Sequence, residues 1–114
     1  IYPEFLKLAA SVSMITAANA SKGLIALIPV HPELESDIVR LLVQCENRTY
    51  RDKGEVSEEC RYIMIGHVLD FFDQIHDSSS YKKDMIAFAK RHKDNPRKKT
   101  AQKVKAFLDR HMTD

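Results

Sequence analysis

The chain has 114 residues, of which 44% are hydrophobic and 30% are charged, and its formal net charge is +2. A chain of this length buries one core and is too short for two domains. Three glycines and no tryptophan argue against a turn-rich β-sandwich. We therefore predict a single helical domain over residues 1–114. No apolar run is long enough to span a bilayer, which argues against an integral membrane protein.

Charge is unevenly distributed along the chain. Residues 1–80 hold 7 Lys/Arg and 12 Asp/Glu, a balance of −5, whereas residues 81–114 hold 11 Lys/Arg and 4 Asp/Glu, a balance of +7. An asymmetry of this size between the two parts of a chain indicates a molecule with one acidic side and one basic side.

The first predicted helix covers residues 3–19, with Val12 and Ile15 on its apolar side and Gly23 as a stop beyond it. Within residues 1–20, an apolar run that ends in an Ala-x-Ala pattern also resembles the core of a secretory signal. An acidic residue near its start is atypical of such a signal. We predict a first helix here and keep a signal-like segment as the alternative.

The next two helices are predicted on either side of a polar loop. Pro32 begins the second helix, whose apolar face ends at Cys45, so that this thiol points toward the core. The loop covers residues 46–55, with Gly54 as its most natural turn residue. Ser57 then caps the third helix.

The third helix is the most apolar of the chain. It is predicted to extend to about His76, and apolar residues occupy most of its circumference. Its polar stripe is narrow and includes Gly66, Asp70 and Asp73. A helix of this kind is usually surrounded by others, so we place it at the centre of the fold.

Two basic helices complete the predicted fold. The fourth turns Tyr81, Met85 and Phe88 inward and its lysines outward. Asn95 is a suitable cap for the fifth helix, and Pro96 is a suitable first residue. The residues therefore predict an all-α protein, a compact bundle of about five helices.

The two cysteines offer two interpretations. Cys45 and Cys60 enclose 14 residues, and a disulfide across such a loop would stabilise the fold by roughly 3 kcal/mol in the chain-entropy model. In a reducing compartment the same residues would be two buried thiols. The compartment decides between these possibilities.

No strong catalytic motif is present, so we predict that the protein is not an enzyme and has no catalytic residue. His67 and Asp70 lie one helical turn apart, and Asp73, Asp77 and His76 continue the stripe, which could in principle bind a metal. A metal site normally needs three or four converging ligands, and this spacing supplies two. A solvated polar face is the better interpretation, so we predict no metal and no cofactor.

The end of the chain carries a candidate basic surface, which could meet nucleic-acid phosphates. It comprises Lys90, Arg91, Lys93, Arg97, Lys98 and Lys99. Aromatic residues that could stack on bases are absent from it, because Phe88 and Phe107 fall on apolar rows. Docking to an acidic protein fits equally well. This surface supports an alternative function, a cytoplasmic nucleic-acid-binding or protein-interaction module.

Several features between residues 41 and 108 occur together. A leucine-rich helix ends in a cysteine, a polar loop follows, and a second cysteine begins a Tyr/Ile-Gly helix with an acidic residue one turn on. The residues concerned are Leu41, Leu42, Cys45, Cys60, Tyr62, Ile63, Gly66 and Asp70, followed later by Asn95-Pro96, Arg97, Lys98, Lys99, Ala101, Val104 and Leu108. This part of the chain resembles the Rap/Tai family of bacterial immunity proteins, which protect cells against peptidoglycan amidase toxins delivered by type VI secretion.

The resemblance implies a periplasmic or secreted protein with a Cys45–Cys60 disulfide, and a homodimer. It also implies a non-catalytic role, in which the protein neutralises an amidase toxin by blocking its active cleft with a helix or loop. With it, the predicted fold becomes a helical bundle with one disulfide-stapled helix pair. The predicted partner contacts, in the polar loop and on the stripe of the third helix, are Asn47, Arg48, Arg51, Asp52, Gly66, His67, Asp70 and Asp73.

Overall fold

The computed structural model describes residues 2–112, so Ile1, Thr113 and Asp114 of the predicted domain lie outside the described residues. The described chain forms six α-helices and one two-stranded antiparallel sheet. In chain order these are α1 Tyr2–Ala9, α2 Met14–Leu27, α3 Glu35–Val43, β1 Arg51–Asp52, β2 Glu55–Val56, α4 Glu58–Ile75, α5 Lys82–Arg91 and α6 Lys98–His111. The all-α prediction is confirmed, although there are six helices and not five. None of the described helices combines the length and apolarity needed to cross a lipid bilayer.

The predicted first helix is two helices. The side chain of Ser13 accepts a hydrogen bond from the Thr16 N–H and caps α2, while Ser11 Oγ accepts one from the Ser13 N–H. Such serine side chains compete with the helical backbone pattern, which explains the break. Gly23 is not a stop, because it lies inside α2. A Cβ there would lie 3.3 Å from the Phe5 ring, so Gly23 lets α1 pack closely on α2.

Helix α4 is central, as predicted, and contacts α2, α5 and α6. Its apolar rows are buried, including Ile65, Leu69 and Phe72. The Phe72 ring meets the Phe88 ring of α5 edge to face, with centroids 5.7 Å apart. Burying each such side chain stabilises the fold by about 1.5–3 kcal/mol, so this helix is the main source of core stability.

The predicted Cys45–Cys60 disulfide, and with it the stapled helix pair, is wrong, since both thiols are free. Cys45 is buried in a 3₁₀ turn after α3, whereas Cys60 is half-buried in the first turn of α4. Burial raises the pKa of the Cys45 thiol, which keeps it protonated. The chain between the cysteines is not a slack loop that needs a crosslink. It forms the 3₁₀ turn, the β-hairpin and the cap of α4, each with its own hydrogen bonds.

Candidate protein-contact surface

Residues 51–56 form a tight β-hairpin inside the predicted polar loop. Lys53 and Gly54 are its two central residues, with φ of 52° and 82°. Positive φ at both positions is typical of a type I′ turn, which matches the natural twist of paired strands. The turn predicted at Gly54 is confirmed, but the strands on either side of it were not predicted. They are only two residues long each, too short to show an alternating pattern.

The root of the hairpin is attached to the core. Tyr50 is 1% exposed, and burial, together with nearby Cys45, raises the pKa of its hydroxyl to about 12. The carbonyl of Tyr50 accepts a hydrogen bond of 2.8 Å from the Ser57 N–H. On the outer edge, the Arg51 N–H donates to the Val12 carbonyl at 2.8 Å. These contacts hold the hairpin in a defined orientation on the helical body.

All six hairpin residues are exposed, and their pairing separates them into two faces. Arg51 lies opposite Val56, and Asp52 lies opposite Glu55. Because successive side chains point to opposite sides of a strand, the two carboxylates share one face. Like charges directly opposite each other destabilise a strand pair. The free hairpin therefore carries an acidic face that a cationic group from a partner would stabilise.

Exposed apolar side chains accompany the hairpin. Val12 is 54% exposed, Ile15 is 70% exposed and Val56 is 58% exposed. Val12 and Val56 both belong to the hairpin region, because Arg51 bonds to Val12 and pairs with Val56. Val12 and Ile15 were predicted on the buried side of one continuous helix. The serines around Val12 were the available signal that this helix is interrupted and that its apolar row is not continuous.

The other predicted loop contacts lie just before the hairpin. Asn47 is exposed. Arg48 is half-buried, and its guanidinium donates to the Leu41 carbonyl at 2.9 Å, at the end of α3. Arg48 therefore positions the loop, while Asn47, Arg51 and Asp52 remain accessible to a partner.

The predicted contacts on α4 have a different environment, because α6 lies against them. Lys103 donates to Asp70 at 2.7 Å, and Arg110 forms two hydrogen bonds with Asp73. Burial acts to raise the pKa of Asp73, but the hydrogen bonds from His111 and Arg110 outweigh it and lower the pKa below its usual range.

Gly66 and His67 complete this stripe. Gly66 is buried, and a Cβ there would lie 3.3 Å from both Lys103 Cδ and Thr100 Oγ1. The absence of a side chain is thus what allows α6 to approach α4. His67 is half-buried. The α4 stripe is an internal helix contact more than a free surface.

The candidate basic surface also contains two kinds of residue, those paired with carboxylates of the same chain and those without such a pair. Arg91 bonds to Glu46 and Arg97 bonds to Glu59. Across residues 2–112, no carboxylate lies within ion-pair distance of the other four members, which are Lys90, Lys93, Lys98 and Lys99, all of them exposed. Ion pairs between the two parts of the chain therefore neutralise part of the predicted charge asymmetry.

Comparisons of this chain with protein-family models, with curated proteins and with solved structures gave no match. The resemblance to immunity proteins accordingly stays a prediction. Of the regions predicted to meet a partner, the hairpin combines a fixed root with exposed side chains that have few partners within the described chain.

Proposed function

We propose that this protein is a non-catalytic binding protein that inserts the hairpin of residues 51–56 into the active cleft of a partner and excludes the substrate. The observation that supports this proposal is that the hairpin is exposed and already ordered, with its root attached to the helical body. An exposed loop that is already ordered loses little conformational entropy on binding, which is how rigid inhibitors reach high affinity. Blocking a cleft requires shape and charge complementarity and no catalytic group.

The partner that we propose is a peptidoglycan amidase toxin delivered by type VI secretion, with the periplasm as the place of action. Both follow from the family resemblance. The acidic face formed by Asp52 and Glu55 supports contact with basic groups at the rim of the partner's cleft, and exposed Val56 on the other face supports an apolar contact. A periplasmic location does not require the disulfide, because one of the two thiols, that of Cys45, is buried away from oxidants, whereas Cys60 is half-buried.

Inhibition of peptidoglycan hydrolysis tests this function. A purified type VI amidase is assayed on isolated peptidoglycan with increasing amounts of this protein. We expect hydrolysis to fall to baseline near one equivalent of the protein. The double variant Asp52→Lys/Glu55→Lys should weaken inhibition by at least about 100-fold, since each mismatched buried charge costs about 2 kcal/mol or more.

The matched control is Asp94→Lys/Asp109→Lys, which makes the same charge change at two exposed positions outside the hairpin. It should inhibit like the wild type. Equal loss in both double variants would show that net charge matters and the hairpin does not. Light scattering on the same samples tests the homodimer that the resemblance also implies; a mass of 13.1 kDa, that of one chain, would contradict it.

Lys90, Lys93, Lys98 and Lys99, which form no ion pair within residues 2–112, support a second candidate function, a cytoplasmic nucleic-acid-binding or protein-interaction module. They lie at the end of α5, in the connection to α6 and in the first turn of α6. Contact of all four with phosphates predicts a slope of about −3.6 for the logarithm of the binding constant against that of the salt concentration. Fluorescence anisotropy with duplex DNA and single-stranded RNA measures it. No binding at low salt would exclude the nucleic-acid form of this function.

A further inference from the structure

Two histidines from distant parts of the chain meet at one corner of the fold. His76 lies in the 3₁₀ turn that follows α4, and His111 is the last residue of α6. Their rings stack with centroids 3.9 Å apart, and their side chains are only 9% and 11% exposed. The carboxylate of Asp77 lies beside them, with Oδ1 at 3.5 Å from His76 Nδ1. One potential metal-ligand atom from each of these three residues lies within 4.8 Å of the other two.

A fourth residue orients one of the histidines. Asp73 Oδ1 lies 2.5 Å from His111 Nε2, and Arg110 holds the same carboxylate through two hydrogen bonds. A carboxylate at this position binds the Nε2–H tautomer, in which Nδ1 carries the free lone pair. Metal-binding histidines are commonly held in this way, by a carboxylate on the nitrogen away from the ion.

We propose that His76, Asp77 and His111 bind a divalent transition-metal ion, with Zn²⁺ as the best fit, and that Asp73 orients His111. Two imidazoles and one carboxylate form a common three-residue zinc ligand set. Zn–N and Zn–O distances of about 2.0–2.2 Å place the ligand atoms of a tetrahedral site about 3.3 Å apart. The fully exposed Asp77 side chain can turn toward the ion. The two imidazoles, now stacked with 29° between their planes, would tilt apart so that the ion lies close to both ring planes.

The ligand atoms select against other ions, and a basic groove borders the site. His76 and His111 also border a groove of about 390 Å³ that Lys82, Lys83 and Lys90 line. Imidazole nitrogen favours Zn²⁺ and its neighbours in the first transition series over Mg²⁺ and Ca²⁺, which rely on oxygen ligands. The ammonium groups repel all of these dications alike and do not contribute to this selection. Three protein ligands leave one coordination position, which a water molecule or an anion from the groove would occupy.

The bound ion would join the end of α6 to the turn after α4. It would thereby add a fixed link at the C-terminal end of α6, where the helix otherwise depends on the Asp73 contacts and on stacking of His111 against Phe107 and His76. The competing explanation is that the two histidines are there for packing alone. If the histidines serve packing alone, replacing the exposed Asp77 should have no effect on metal binding or stability. If the three residues bind an ion, replacing Asp77 should weaken metal binding.

Metal titration distinguishes a metal site from two histidines that only pack together. Protein treated with a chelator and then desalted is titrated with Zn²⁺ in a calorimeter and with Co²⁺ in a spectrophotometer. We expect one ion per chain, a visible absorption band typical of tetrahedral Co²⁺, and a higher thermal midpoint with Zn²⁺. Asp77→Asn, which changes only an exposed side chain, should weaken affinity at least about 10-fold. Asp73→Asn should weaken it by about 10–100-fold, the usual effect of losing such an orienting carboxylate.

His111→Ala should abolish both the Co²⁺ band and the thermal shift, with circular dichroism showing that the helices persist. The matched control is His31→Ala, which removes an exposed histidine beside Glu33 and should leave affinity unchanged. No saturable binding, or wild-type affinity in Asp77→Asn and His111→Ala, would overturn the proposal. The proposal is independent of amidase inhibition, which can fail without affecting these titrations.

Discussion

The hairpin and the polar stripe of α4 were both predicted to meet a partner, and the structure places them in opposite situations. All six residues of the hairpin 51–56 are exposed, with its two carboxylates on one face and no basic side chain paired with them in the described chain. On the stripe, Asp70 and Asp73 are paired with α6, and Gly66 is covered by it. Polarity shows that a residue is outside the apolar core. It does not show whether the neighbour is a partner, water or another helix of the same chain.

The largest expected effect concerns the root of the hairpin. Tyr50→Ala removes a fully buried aromatic side chain and should lower the free energy of unfolding by about 3–5 kcal/mol, as for other large-to-small core changes. Tyr50→Phe is the matched control. Its hydroxyl is buried beside Arg48 and has no well-formed hydrogen bond among residues 2–112, so removing it should change the free energy of unfolding by no more than about 1 kcal/mol. Urea unfolding followed by circular dichroism measures both, and similar losses in the two variants would contradict an unbonded hydroxyl.

The contact between α4 and α6 should show a smaller effect. Gly66→Leu places a side chain where Thr100 and Lys103 already lie 3.3 Å from a Cβ, and overpacking of this kind costs about 2 kcal/mol. Gly66→Ala should cost less than Gly66→Leu, because the higher helix propensity of alanine, about 1 kcal/mol, offsets part of the crowding. The flexible Lys103 can move away, whereas the buried Thr100 hydroxyl is held by the Tyr62 carbonyl. Urea unfolding measures the stability of both variants. Wild-type stability in Gly66→Leu would mean that α6 does not pack against α4 at Gly66.

The same charge reversal should have opposite signs in the two regions. Asp70→Lys breaks the 2.7 Å pair with Lys103 and creates a like-charge contact, so stability should fall by about 1 kcal/mol. Glu55→Lys replaces a like-charge strand pair by an attractive one opposite Asp52, so stability should rise by about 0.2–1 kcal/mol. Thermal and urea unfolding at low salt measure the change in stability of each variant. Changes of the same sign would contradict the conclusion that Asp70 is paired within the chain and Glu55 is not.

The smallest expected effect is the pH dependence that His67 contributes. Burial and the charge of Lys103 lower the pKa of His67 below its usual 6.5. At a pH between the pKa of His67 in the folded protein and 6.5, the unfolded chain binds more protons than the folded chain, so a fall in pH favours unfolding. The stability that neutral His67 contributes is therefore fully present above about pH 6.5 and is lost as the pH falls through the folded pKa. His67→Gln should flatten the difference in unfolding free energy between pH 7.5 and pH 5.5. An equal or steeper dependence in the variant would contradict this assignment.

Much of the helical fold was predictable because it depends on periodicity and capping, which are local. Ser57 caps α4 through a hydrogen bond from the Cys60 N–H, as predicted, and α4 ends at the predicted position. Asn95 was predicted as the cap of the last helix, but its side chain accepts from the Arg97 N–H and α6 begins at Lys98. The disulfide was implied by the family resemblance, and the spacing of the two cysteines could not show that both remain free thiols, one buried and one half-buried.

The sequence by itself determined that this protein is helical, that α4 is its central helix and that a turn lies at Gly54, since each depends on residues near one another in the chain. Only the tertiary structure decided which polar residues are free. It paired Asp70 and Asp73 with α6, left Asp52 and Glu55 exposed, and brought His76 together with His111. These outcomes depend on distances between residues more than 30 positions apart in the chain, which no local pattern encodes.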